Sequence, residues 1–194
     1  LDRLRAAGLS PQITPIAREA FVFVTHRDNP VNSLTLGQIR DIYGKKIQNW
    51  REVGGSDAKI LAFQRPEGSG SQSAMLALVM KDRRPAAPLR EERMEGMGGM
   101  IRAVADYRNR ANSLGYSFRW YASEQFPSGD IKFLAVDGIA PDARAIRSGA
   151  YPLTTQLVAV TCRPLSRESQ ALLDWLTGPE GQALIAKTGY VPLY

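Results

Sequence analysis

Residues 65–71 read Arg-Pro-Glu-Gly-Ser-Gly-Ser and run without a break into the apolar stretch Ala74–Met80. Arg65 brings a planar fork of donors that matches two oxygens of a phosphate-like group. Ser69 and Ser71 add hydroxyl donors, and Gly68 and Gly70 let a ligand come close to the backbone. Where such a loop opens a helix, the first-turn amides have no partners within the helix and the dipole adds partial positive charge, so an anion is attracted there. Each charge-assisted bond contributes ~1.5–3 kcal/mol net, enough for one arginine and a few donors to reach about micromolar binding. The residues alone also fit a plain serine cap beside an ordinary surface arginine.

Other loop chemistries fail on particular positions. A nucleotide-binding P-loop needs a lysine that this loop lacks, and a dinucleotide fingerprint needs glycine where Ser73 stands. A nucleophile elbow needs Gly-x-Ser-x-Gly, a spacing that neither Ser69 nor Ser71 provides.

The loop has to be held by its flanking elements. Ile60–Phe63 reads as a short strand whose exit delivers Arg65, and residues 71–80 have the composition of a helix packed on a sheet, with Gly68–Ser71 as its N-terminal turn. Upstream, residues 20–25 form a continuous β-branched and aromatic run, ended by turn chemistry in residues 26–33. Thr35 and Gln38 make a capping-box pattern for an amphipathic helix carrying Leu36, Ile39, Ile42 and Tyr43, closed by Gly44. Residues 81–95, with Pro85 and Pro88, read as an exposed connection containing at most one short helical piece. A helix follows the glycines at 96–99, with Ile101, Val104 and Ala105 inward, and a strand is expected near Gly115–Phe118. Residues 131–152 read as a strand, a turn and a short helix. Residues 154–162 read as a second continuous buried strand ended by Pro164, and two helices follow, Ser166–Leu176 and one with Pro179 in its first turn. Strands alternating with helices make the class α/β.

Composition narrows the chemistry. The 194 residues are 44% hydrophobic and 23% charged, which suits one globular unit or two small lobes. The longest apolar runs are too short to span a bilayer, and residues 1–10 do not form a cleavable signal. With Cys162 as the single cysteine and His26 as the single histidine, no internal disulfide and no multi-Cys or multi-His metal site can be built, so no cofactor or metal is expected. His26 reads as a strand-end residue, and Met94, Met97 and Met100 as packing residues. A formal charge of +6 favours anionic partners, but arginines interleaved with acids, as in residues 90–93, lack the aromatic platform of a nucleic-acid binder.

Five separated stretches, residues 29–55, 65–71, 113–118, 137–153 and 178–194, follow in an order that resembles the PstS-like phosphate-binding proteins of phosphate ABC transporters, which are periplasmic solute-binding proteins of the type 2 fold. The resemblance runs from about residue 15 to the end. It implies two α/β lobes joined by two hinge strands, residues 20–30 and 154–164, with residues 1–31 and 151–194 in the first lobe and 32–150 in the second. The family's Arg-x-Asp-Gly-Ser-Gly-Thr motif maps Arg65, Ser69, Gly70 and Ser71 onto phosphate binding, with Ser71 keeping the hydroxyl of the threonine and Glu67 orienting the guanidinium. The resemblance further implies a non-enzymatic protein that delivers inorganic phosphate or a similar oxyanion to a membrane ABC permease, located in the periplasm or outside the cell at the membrane.

The family's opening strand-helix segment, with its hydroxyls and a carboxylate, has no counterpart in Leu1–Ser10, so the first lobe is expected to be incomplete and the chain a fragment or processed form. That carboxylate is the simple means of choosing phosphate over sulfate, because it accepts from P–OH and repels an oxyanion without a proton. The alternative reading is a sensory or assembly module that keeps the binding-protein fold but signals to a partner or has lost its ligand. An enzyme acting on phosphate esters would need a general-base pair that does not accompany the loop.

Overall fold

The phenyl rings of Phe21 and Phe23 lie on one face of a strand, two residues apart, with centroids 5.8 Å from each other. Around them the computed structural model builds the larger of two compact units, Ala20–Thr154; the smaller comprises Leu1–Glu19 and Thr155–Tyr194. The structure describes residues 1–106, 108, 112–162 and 164–194.

In the larger unit, β1 (Pro11–His26, which begins in the smaller unit) pairs antiparallel with β4 (Ser113–Phe118) in the register Phe21 to Phe118 and Val24 to Gly115. It also pairs antiparallel with β5 (Ile131–Phe133), and β3 (Leu61–Ala62) runs parallel to β4. The sheet order is therefore β3-β4-β1-β5. A separate parallel pair joins β2 (Ser33–Leu34) to β6 (Ala135–Val136). Tyr116 of β4 packs against Phe21 at 5.4 Å and against Tyr43 at 5.7 Å. Phe21, Phe23, Tyr43 and Tyr116 are all fully buried.

Helix α2 (Leu36–Tyr43) has the expected reciprocal cap: Thr35 Oγ1 accepts from Gln38 N at 3.1 Å and Gln38 Oε1 accepts from Thr35 N at 2.8 Å. Helix α4 (Met97–Ala105) lies on β4 because Gly115 has no side chain; a Cβ there would stand 2.8 Å from both Met100 Sδ and Val104 Cγ2. The expected continuation of this helix falls partly on Tyr107, Asn109 and Arg110, outside the described residues. Helix α5 (Ala143–Ser148) is capped by Asp142 and ends at Gly149 with φ +75.

The smaller unit holds α1 (Asp2–Ala6), the first part of β1, β7 (Thr154–Cys162), α6 (Arg167–Thr177) and α7 (Pro179–Lys187). Strand β7 pairs with β1. Buried Gln182 ties this unit together: its Nε2 donates to Ile16 O and Leu176 O, both at 2.8 Å, and its Oε1 accepts from Leu193 N at 2.7 Å.

Two expectations change. The first strand starts at Pro11, well before residue 20. Strand β7 is not continuously buried: Val158 is 41% and Val160 45% exposed, since alternate residues leave the packed face. Arg163, assigned to the end of that strand motif, lies outside the described residues. The two compact units meet in the sequence at 19/20 and 154/155, where residues 20–26 pair with β4 and β5 and Tyr151 Oη donates to Phe21 O at 3.1 Å.

Candidate functional site

Strand β3 ends beside β4, where Phe63 N donates to Leu114 O at 2.8 Å. Gln64 then leaves the sheet to bridge residues 92–94: its N–H donates to Glu92 O at 2.7 Å and its carbonyl accepts from Met94 N at 2.9 Å. Arg65 follows, and three of its atoms define the site. Its backbone N–H donates to Tyr116 Oη at 2.9 Å, its Nη1 donates to Met94 O at 3.2 Å, and its Nε is buried with no hydrogen-bond partner. A buried guanidinium N–H without an acceptor is costly unless a ligand supplies one.

The turn after Arg65 is set by Gly68, whose φ of +84 a side chain would strain. Ser69 caps the helix: its Oγ accepts from Gln72 N at 3.2 Å, and its carbonyl accepts from Ser73 N at 2.9 Å, the first full turn of the ladder. The amides of Gly70 and Ser71 precede that first bond. Helix α3 (Gly70–Ala74) continues directly into a π-helical stretch, Met75–Met80, where the expected regular helix widens its ladder. Ser71 is 2% exposed and its Oγ has no hydrogen-bond partner, whereas a Cβ added at Gly70 would meet nothing within 4 Å. The loop thus carries an open backbone position at Gly70, a buried unsatisfied hydroxyl at Ser71 and, at its start, the buried unsatisfied guanidinium nitrogen of Arg65.

Glu67 is placed differently from its expected role. It is exposed, and among the described residues it forms no ion pair with Arg65; the Met94 carbonyl holds the guanidinium instead. His26 is a strand-end residue as read, buried, with Nδ1 accepting from Asp28 N at 3.2 Å. Among the described residues no group of three or more His, Cys, Asp or Glu is arranged to hold a metal.

Sequence reasoning missed the groups that hold Arg65. Tyr116 Oη accepts from Arg65 N and donates to Gln72 Oε1, joining the strand exit to the first helical turn. Burial pushes the Tyr116 phenol up to about 12 against the opposing hydrogen bond from Arg65, so the hydroxyl keeps its proton at neutral pH. The connection at 81–95 is mostly exposed and carries one short helical turn, Arg90–Glu92, as read, but its anchoring contacts were not foreseen. Glu92 is fully buried, pairs with Lys45 Nζ and accepts from Leu89 N at 2.9 Å, while Gln64 Nε2 donates to Ala86 O at 3.0 Å and Ala86 N to Tyr43 O at 2.9 Å. This strap closes one side of a cavity of about 580 Å³ lined by Arg65, Gln72, Arg84, Pro85, Pro88 and Arg93 among others. A glutamate spaced among arginines gives no warning that it will be the buried partner of a distant lysine.

Among curated proteins, the chain is 24% identical over 167 residues to the phosphate-binding protein PstS of Bacillus subtilis, covering 86% of this chain and 52% of that protein. It is 26% identical over 183 residues to PstS of Borreliella burgdorferi, covering 92% and 64%. The chain therefore spans between half and two thirds of the length of these relatives. Among solved structures it superposes with a TM-score of 0.78 at 27% identity on one from Clostridium perfringens described as a phosphate ABC transporter substrate-binding protein with bound phosphate, covering 100% of this chain and 76% of that one. The crystal structure of PstS from Borrelia burgdorferi matches with a TM-score of 0.72 at 25% identity, covering 94% and 72%. The family model described as the PBP superfamily domain matches residues 5–180, so the chain belongs to the PBP superfamily.

Proposed function

We propose that this chain is a non-enzymatic binding protein for inorganic phosphate or a similar tetrahedral oxyanion, working in ABC-transporter uptake. In this reading Arg65 is the charge clamp, and the amides of Gly70 and Ser71 with the hydroxyls of Ser69 and Ser71 form the cradle, the Ser69 amide being taken by Pro66 O at 3.2 Å. The observation that carries it is the pairing of two buried, unsatisfied polar atoms, Arg65 Nε and Ser71 Oγ, with the open backbone at Gly70. Oxyanion oxygens satisfy both groups at once. The likeness to proteins named for phosphate binding, one of them with bound phosphate, supports the same ligand. Residues 20–154 then act as the lobe that carries the anion loop, the partner is a membrane permease, and the protein works in the periplasm or outside the cell. No helix among the described residues is long and apolar enough to cross a membrane.

Isothermal calorimetry with inorganic phosphate at low ionic strength tests this. Arg65→Ala is expected to weaken binding at least about tenfold, since a hydrogen bond to a charged group contributes ~1.5–3 kcal/mol. Affinity within twofold of the parent chain removes the clamp from the site.

A further inference from the structure

We infer that Gln72 is a ligand-binding donor of the oxyanion site, its side-chain amide turned toward the ligand by Tyr116. The inference rests on the phosphate reading above and adds to it a residue outside the Arg65–Ser71 motif.

The orientation follows from counting protons. A tyrosine hydroxyl has one proton to give and lone pairs to receive. Tyr116 Oη receives from the Arg65 backbone N–H at 2.9 Å, and its own proton goes to Gln72 Oε1. With the carbonyl end of the Gln72 amide engaged by a donor, the NH₂ end is directed away from Tyr116. Among the described residues Gln72 Nε2 has no hydrogen-bond partner, although the residue is only 5% exposed. Gln72 and Arg65 line the same cavity of about 580 Å³.

Placement in the helix supports the same role. Gln72 is the third residue of α3, and its backbone N–H is already taken by the Ser69 cap at 3.2 Å. Helical side chains lean toward the N-terminus, which brings the amide over the 65–71 loop. Tyr116 cannot easily swing aside, because its ring is packed between Phe21 and Tyr43 at 5.4 and 5.7 Å. Protonated up to a pKa of about 12, it presents the same donor across the physiological range. Arg65 and Gln72 thus share one fixed relay, with Tyr116 as a positioning residue for both.

Inorganic phosphate titrated into the chain and its variants by calorimetry tests the inference, with Arg65→Ala as the reference for loss of the site. Gln72→Met removes the donor and is expected to weaken phosphate binding at least about tenfold, the loss of one hydrogen bond to an anion. Gln72→Glu still accepts the Tyr116 proton but turns a negative oxygen on the ligand, so affinity should fall at least about thirtyfold at pH 7.5. Relative to the parent chain measured at each pH, that deficit should shrink as pH falls toward about 4.5, where a carboxylate takes up a proton. A purely structural glutamine would not produce this pH dependence. Tyr116→Phe should weaken binding about threefold alone and add nothing in the Gln72→Met and Arg65→Ala double background. Gln72→Met within twofold of the parent, or Gln72→Glu no weaker than Gln72→Met, overturns the assignment while the loss in Arg65→Ala leaves the phosphate site standing. Absence of phosphate binding in the parent chain overturns both.

Discussion

Two strands of similar composition meet different fates. Residues 20–24 of β1 are buried without exception, seated on Tyr43 and Tyr116, whereas β7 alternates between half-buried and exposed, and the helix after it, α6, buries no residue fully. Leu172 at 58%, Trp175 at 39% and Leu184 at 48% exposure leave further apolar side chains uncovered on both C-terminal helices. The site grows from the first environment. A loop that leaves two polar atoms unsatisfied can be tolerated where β4, α2 and the 81–95 strap hold every neighbour, and the smaller unit offers no such support. The geometry of this loop is a by-product of dense packing beneath it.

The contrast can be broken by mutation. The largest expected effect is Phe23→Ala, which removes a ring from the center of the aromatic cluster and should cost about 3–5 kcal/mol in chemical denaturation. Glu92→Ala should follow at about 3 kcal/mol, because Lys45 is left against an emptied site and Leu89 N loses its acceptor; it should also loosen Met94 and with it Arg65. Tyr116→Phe should cost about 1–2 kcal/mol through the unsatisfied Arg65 N–H, and the Arg65 amide should exchange faster with deuterium. In the smaller unit, Leu172→Ala should cost under about 0.5 kcal/mol. A loss above about 2 kcal/mol for Leu172→Ala would mean that this apolar face is covered in solution, and sedimentation at matched concentration would show by how much the chain associates.

Alkaline titration sharpens the same contrast. Tyr43, Tyr116 and Tyr151 all lie in the larger unit, and burial raises all three phenols, Tyr116 to about 12. A raised folded pKa means that the unfolded chain releases the proton first. The Tyr116 contribution to stability is therefore fully kept below the ordinary phenol value of 10.0 and is lost between 10.0 and about 12. Tyr116→Phe should flatten that part of the stability curve, measured by denaturant midpoints at successive pH values, and changes at Leu172 should leave it unaltered.

How much was readable depended on whether a residue's role is local. The Thr35–Gln38 cap, the Ser69 turn, the proline start of α7 and the strand-loop-helix order around Arg65 are properties of a few neighbouring positions, and they appear as read. The order of motifs carried the family. The partner of Arg65 was not readable, because it is a backbone carbonyl 29 positions away rather than the carboxylate two positions on. Nor was the Lys45–Glu92 pair, where nothing nearby marks either residue as inward. Burial of β7 was overread for the complementary reason: an apolar run states a preference, and only the surrounding elements decide whether both faces are met. The π-helical widening at Met75–Met80 has no marker in the residues themselves.

The strap between Lys81 and Glu95 touches the floor at Ala86 and at Glu92 and Met94, Arg83 pairs with Asp41 and Arg84 lines the cavity, while Leu89, Arg90 and Glu91 face solvent. Its outward positions are therefore open lanes for drift or for an attached dye, whereas the anchor positions are welded to the floor on which Arg65 stands. A label carried at residue 90 would sit on the exposed turn between the cavity-lining stretch 84–88 and Arg93, and would report on the strap without replacing an anchor.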